Sequence, residues 1–93
     1  MAAIRDQGTA IEQRFAEALR AGTAPTDAAA VELAEEHRRH IGRWFYDCPL
    51  EMHVGLTRMY VDDPRFTDHY DRLEPGLAAY VRDAAAANAA GSG

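Results

Sequence analysis

Between Thr9 and Arg20 the large and small apolar side chains Ile11, Phe15, Ala18 and Leu19 fall at the i, i+4, i+7 and i+8 positions that line one face of an α-helix. Gly22 is a natural stop for it. The apolar face is thin, and an isolated helix of this length is marginal in water, so residues 9–21 are expected to be ordered only when something docks against them. After the Gly22–Pro25 break, Thr26 suits an N-cap. A long periodic stretch then places Ala30, Leu33, Ala34, His37, Ile41, Trp44 and Phe45 along one side of a second helix. Its other face carries Glu32, Glu35, Glu36, Arg38, Arg39 and Arg43, the pattern of a solvated surface.

Proline then sets the rhythm of the chain. Pro49 favours the first turn of a helix and pushes Cys48 out of the α region, so a third helix is predicted from Pro49 to about Val61. Met52, Leu56, Met59 and Tyr60 share one face of it, with His53 on the shoulder. Asp63–Pro64 repeats the cap-then-proline signal and opens a short helix containing Phe66, His69 and Tyr70. Glu74–Pro75 opens the last helix, with Leu77, Tyr80, Val81 and Ala84 at helical spacing. No strand pattern or internal repeat interrupts this sequence of elements. The prediction is an all-α fold, a compact bundle of about five helices around one core in a single domain over residues 1–93, with residues 1–8 and 90–93 disordered. Large apolar side chains concentrate between Leu33 and Val81, so the stable core is expected there.

Composition narrows the function. Ninety-three residues make one domain, too short for two lobes enclosing a deep cleft. Ten basic against fifteen acidic residues give a formal charge of −5, and the arginines are interspersed with carboxylates, which argues against direct nucleic-acid binding. No apolar run approaches the ~20 residues needed to span a bilayer, and the N-terminus lacks a signal pattern. A cytoplasmic monomer is expected. One cysteine cannot form an internal disulfide, which fits a reducing compartment and leaves a free thiol to explain.

That thiol is the first candidate for chemistry. At or next to the N-cap of the third helix, unpaired backbone N–H groups and the helix dipole favour a thiolate at Cys48, while the neighbouring Asp47 carboxylate disfavours it. The plainer reading is a small buried apolar residue. His37 and His40 form an H-x-x-H pair that, with Cys48 or His53, resembles part of a zinc set, but the usual C-x-x-C element is absent and a histidine packed beside the core fits His37 better. Trp44, Phe45 and Tyr46, with Met52 and Met59, suit either a pocket for a bulky apolar ligand or an ordinary core. Asp62 and Asp63 are explained by a helix end and a cap. No G-x-S-x-G, H-E-x-x-H or glycine-rich phosphate loop is present, so a binding module with no cofactor and no metal is expected rather than an enzyme.

The string Ala34–Tyr46 (AEEHRRHIGRWFY) followed by Asp47-Cys48, Glu51-Met52-His53, Gly55-Leu56, Met59-Tyr60-Val61, Asp63-Pro64-Arg65-Phe66, Pro75-Gly76-Leu77 and Tyr80-Val81-Arg82-Asp83 resembles the TipAS antibiotic-recognition domain. The likeness runs from about Phe15 to Ala89. In that family the domain is the effector part of MerR-type transcription regulators, or stands alone as a sequestering protein. Its fold is similar to a globin with missing helices, and its cleft captures thiopeptide antibiotics such as thiostrepton. The resemblance therefore implies a bulky hydrophobic peptide antibiotic as partner. It also implies that Cys48, in the FYDC motif, attaches to a dehydroalanine of the ligand in some members. The expected cleft is lined by Trp44, Phe45, Met52, His53, Leu56, Met59 and Tyr60, with Cys48 at its mouth. The chain is short for that domain, so helices covering the cleft from the N-terminal side are expected to be missing, and with no winged helix or coiled coil it is not expected to bind promoter DNA. Rival readings are a same-fold site for another drug or a lipid-like ligand, a haem or zinc protein using His37, His40 or His53, and an interaction module that signals to a DNA-binding partner.

Overall fold

The computed structural model describes residues 2–91, with side chains from residue 6 onward. These residues form five helices, α1 (Ala2–Arg20), α2 (Ala28–Trp44), α3 (Leu50–Asp62), α4 (Pro64–Asp71) and α5 (Leu77–Gly91), and no strand occurs among them. No helix among them is long and apolar enough to cross a membrane.

Local chemistry accounts for the boundaries. At the end of α1 the Gly22 N–H bonds to the Leu19 carbonyl and the Thr23 N–H to the Ala18 carbonyl, each at 3.0 Å, with Gly22 at φ +78. This is the Schellman arrangement that a Cβ would strain. The N-cap of α2 is Asp27, one residue beyond the expected Thr26; its carboxylate accepts from the Ala29 N–H at 3.0 Å and is the stronger cap of the two. Pro49 occupies the N-cap position of α3 without a side-chain cap bond, so the helix starts at Leu50, one residue after the expected Pro49. Asp63 caps α4 by accepting from the Arg65 N–H at 3.0 Å with Pro64 in the first turn.

Larger differences from the sequence expectation fall on the last helix and the first. The last helix starts at Leu77, because Glu74 to Leu77 close a β-turn first: the Leu77 N–H reaches the Glu74 carbonyl at 3.0 Å, with Pro75 and Gly76 at the turn centre and Gly76 at φ +86. Asp71 then accepts from the Ala78 N–H at 3.1 Å, capping α5 from the preceding element. At the other end, α1 begins at Ala2, so residues 2–8 are helical where disorder was expected. The tether is tertiary: the Trp44 indole N–H donates to Gln7 at 3.0 Å, and a Cβ at Gly8 would lie 3.4 Å from the His40 ring. Helix α5 runs on through Gly91, so residues 90 and 91 are helical where fraying is expected for 90–93, and residues 92 and 93 lie outside the described residues.

Helix α5 is the central element, packed against each of the other four. Phe15, Leu77 and Val81 are fully buried at its contacts, joined by Leu33, Ala34, Tyr60, Tyr70 and Tyr80. The core therefore extends beyond the Leu33–Val81 span to Ile11, Phe15 and Ala16 of α1. Burying Phe15 alone contributes ~2–3 kcal/mol, which is what docks a helix whose own propensity is weak.

Candidate functional site

Helices α1 to α4 leave a groove between them that no α5 residue lines. One part, about 490 Å³, is bounded by Gly8, Thr9 and Glu12 of α1, His37, His40 and Ile41 of α2, Phe45, Tyr60 of α3, and His69 and Tyr70 of α4. A second part of about 430 Å³ shares Glu12, Tyr60, His69 and Tyr70 and adds Arg65 and Phe66. Aromatic rings make its wall. Tyr60 stacks on Phe66 with centroids 5.4 Å apart and lies 4.8 Å from Tyr70. Burial pushes the Tyr70 phenol far above its usual value, with the neighbouring Tyr60 and Glu12 adding to the effect, so it stays a neutral hydroxyl. Across the groove His69 Nε2 meets the Glu12 carboxylate at 3.2 Å, linking α4 to α1.

Behind Tyr60 lies a pair of histidines. His37 Nδ1 and His53 Nε2 are 2.8 Å apart. His37 lines the groove and is 7% exposed, and His53 is 0% exposed. Burial lowers the His37 value to about 3, with the nearby His53 and His40 acting the same way. Burial likewise lowers His53 to about 4; the Arg38 charge adds to that, while Glu35 opposes it. Both imidazoles are neutral at physiological pH.

Cys48 lies elsewhere. Only 4% of it is exposed, at a separate depression of about 380 Å³ lined by Arg38, Arg39, Gly42, Asp47 and Pro49. Burial raises the thiol above its ordinary value; Arg38 works against this and Asp47 with it. Pro49 takes the N-cap position of α3, and Cys48 precedes it. A polar network fixes the connector: Arg38 Nη1 donates to the Cys48 carbonyl at 2.9 Å, Arg38 Nε to Glu35 at 2.9 Å, and Asn88 of α5 to Glu35 at 2.9 Å. The Arg38 hydrogen bond above all, with those from Asn88 and Arg39, holds Glu35 down at about 2 although burial opposes it.

The expected cleft is thus only partly assembled. Phe45 and Tyr60 line the groove. His53 sits one layer behind it, Leu56 packs half-buried against the core, and Met59 lines a different depression beside Arg58 and Asp62. Met52 stands 46% exposed, and Trp44 is 37% exposed with its indole on Gln7 and the Arg43 guanidinium 5.2 Å from its ring. The reason is that α3 has two candidate stripes. Met52, Leu56 and Met59 form the more hydrophobic one, yet the fold buries His53, Thr57 and Tyr60. Those polar groups tolerate burial because His53 pairs with His37 and the Thr57 hydroxyl donates to the His53 carbonyl at 3.0 Å.

The groove residues outside the expected cleft are Gly8, Thr9, Glu12, His37, His40, Ile41, Arg65, Phe66, His69 and Tyr70. The spacing of Phe66, His69 and Tyr70 shows their common face; nothing local shows that α1 comes to meet it. Among the described residues, no group of three or more His, Cys, Asp or Glu is arranged to hold a metal ion.

A family model described as the TipAS antibiotic-recognition domain matches residues 1–88. The HTH-type transcriptional activator TipA of Streptomyces coelicolor is 46% identical over 86 residues, a match covering 92% of this chain and 34% of that protein. This chain therefore spans about a third of the length of that relative. Among solved structures, TipAS in complex with nosiheptide, from a thiopeptide antibiotic multidrug resistance system of Streptomyces lividans, superposes with a TM-score of 0.90 at 44% identity, covering 97% of this chain and 63% of that one. The antibiotic binding domain of a TipA-class multidrug resistance transcriptional regulator gives 0.87 at 45% identity, covering 96% and 95%.

Proposed function

The chain belongs to the TipAS antibiotic-recognition domain family, and from that membership we propose that it binds a thiopeptide antibiotic in the groove between α1 and α4, as the effector part of a transcription regulator or as a sequestering protein. The observation that carries this reading is the aromatic groove itself, walled by Phe45, Tyr60, Phe66 and Tyr70, in a fold that matches a nosiheptide-bound relative. A ring-faced concavity with a few polar groups suits a large, rigid, apolar peptide. The activity is binding rather than turnover, and kinship with transcription regulators supports a cytoplasmic setting.

Cys48 gives the binding a second, slower stage. Its thiol adds to the C=C of a dehydroalanine: the S–H bond breaks and gives its proton to solvent, the C–S bond forms at the β-carbon as the π bond breaks, and the α-carbon takes up a proton from solvent. Because Cys48 is 4% exposed, the connector from Phe45 to Pro49 must swing outward before that bond can form. Reversible capture therefore comes first. Isothermal titration with nosiheptide is expected to give saturable one-to-one heat, weakened at least about tenfold in Tyr60→Ala, which removes a buried ring from the wall. Intact mass after long incubation is expected to show an adduct that Cys48→Ala abolishes. No heat with the folded wild-type protein removes the antibiotic reading; heat without an adduct removes only the covalent stage.

A further inference from the structure

The buried histidine pair has one atom that decides its proton arrangement. His53 Nδ1 is buried with no hydrogen-bond partner among the described residues, whereas His53 Nε2 faces His37 Nδ1 at 2.8 Å. One proton lies between the two rings, and two arrangements are open. If His37 Nδ1 donates, both rings are Nδ1–H tautomers and His53 is left with a buried N–H pointing at nothing. If His53 Nε2 donates, both rings are Nε2–H tautomers and the orphan on His53 is a bare lone pair. A stranded buried N–H is the rarer and costlier of the two. Neutral imidazole in histidine also prefers its proton on Nε2, so local and intrinsic preferences agree.

With His37 Nδ1 occupied as an acceptor, the nitrogen left for the groove is Nε2, and it carries a proton. The ring is held in place by edge contacts to Phe15 and Tyr60, at centroid distances of 6.3 Å and 6.2 Å. We propose that His37 is a specificity-determining residue of the groove: a neutral, tautomer-locked N–H donor set in the aromatic wall, which recognises an acceptor such as an amide carbonyl of the peptide antibiotic, with His53 as the positioning residue that locks it. This rests on the antibiotic reading of the groove. A neutral donor suits the site, since an apolar ligand would strip water from a charged imidazolium at high cost. The lock also excludes ligands that present only a donor at that point, because both would offer N–H groups to each other.

Two measurements test it. Long-range 15N–1H correlation of the ligand-free protein, labelled at histidine, reads the tautomers directly, and the expected result is Nε2–H for both His37 and His53. Titration with nosiheptide then reads the role. His37→Phe keeps the ring packing and removes the donor, and is expected to weaken binding about tenfold, near the worth of one buried hydrogen bond. His53→Gln keeps an N–H facing His37 Nδ1 and is expected to retain wild-type affinity, whereas His53→Leu removes the lock and weakens binding by about threefold. A proton found on His37 Nδ1 in the ligand-free spectrum overturns the tautomer assignment whatever the ligand does. A folded His37→Phe protein that binds as tightly as wild type overturns the donor role. Failure of wild-type protein to bind nosiheptide is the separate failure of the antibiotic reading.

Discussion

Lowering the pH from 7.5 to 5.5 is expected to cost the fold about 3 kcal/mol through two residues, His37 and His53. Their values fall from the ordinary 6.5 to about 3 and about 4. In the unfolded chain each ring takes up a proton as pH drops through 6.5, while in the folded chain both stay neutral across this window. The unfolded state therefore binds more protons, and stability falls as pH falls. Between pH 7.5 and 5.5 the unfolded state is favoured tenfold per histidine, a hundredfold for the pair, which is about 3 kcal/mol. The result needs only that both folded values lie well below 5.5. Glu35 also has a lowered value, but its contribution is complete above 4.5 and is lost only as pH falls toward about 2, so it stays outside the window. Against a total of about 5–15 kcal/mol for a natural domain, the histidine effect is large. Urea unfolding followed by circular dichroism at the two pH values, with m unchanged, measures it. The variant His37→Phe/His53→Leu should show little of the difference, whatever its absolute stability. Equal midpoints for wild type at the two pH values, or the same drop in the double variant, refute the reasoning.

Phe15→Ala should destabilise the protein by about 3–5 kcal/mol, since the ring is 1% exposed between α1, α2 and α5, and α1 should lose protection from hydrogen exchange before the other helices. Gly76→Ala forces a Cβ onto a residue at φ +86 and should lower stability by about 1 kcal/mol in urea titration, although open space surrounds the new methyl group.

Most of the architecture was legible in the sequence because its signals are local. Asp63–Pro64 fixes the α3–α4 break, and the periodic run from Ala30 to Ile41 fixes the buried face of α2. Such features depend on neighbours a few positions away. The start of α1 was illegible for the opposite reason: Gln7 is held by Trp44 of α2, a partner far along the chain. The site divided in the same way. Tyr60 and Phe45 were found as apolar residues at helical spacing. Glu12 was not, since a glutamate on a thin helix reads as solvated until His69 is seen opposite it. The choice of stripe on α3 went to the methionines because hydropathy favours them, and the burial of His53 and Thr57 depends on hydrogen bonds that only the assembled fold supplies. Cys48 was singled out as the chemical residue; its position before Pro49 was readable, but its enclosure by the Arg38 and Glu35 network was not.

The single tryptophan of the chain is bonded to the helix that forms one side of the groove. That contact makes the molecule its own optical gauge. Should α1 lift from α2, the indole would lose Gln7 and meet more water, and its emission would move to the red; a guest that pins α1 down would hold it blue. The seating of a helix, usually followed with attached dyes, is here written into the colour of one native side chain.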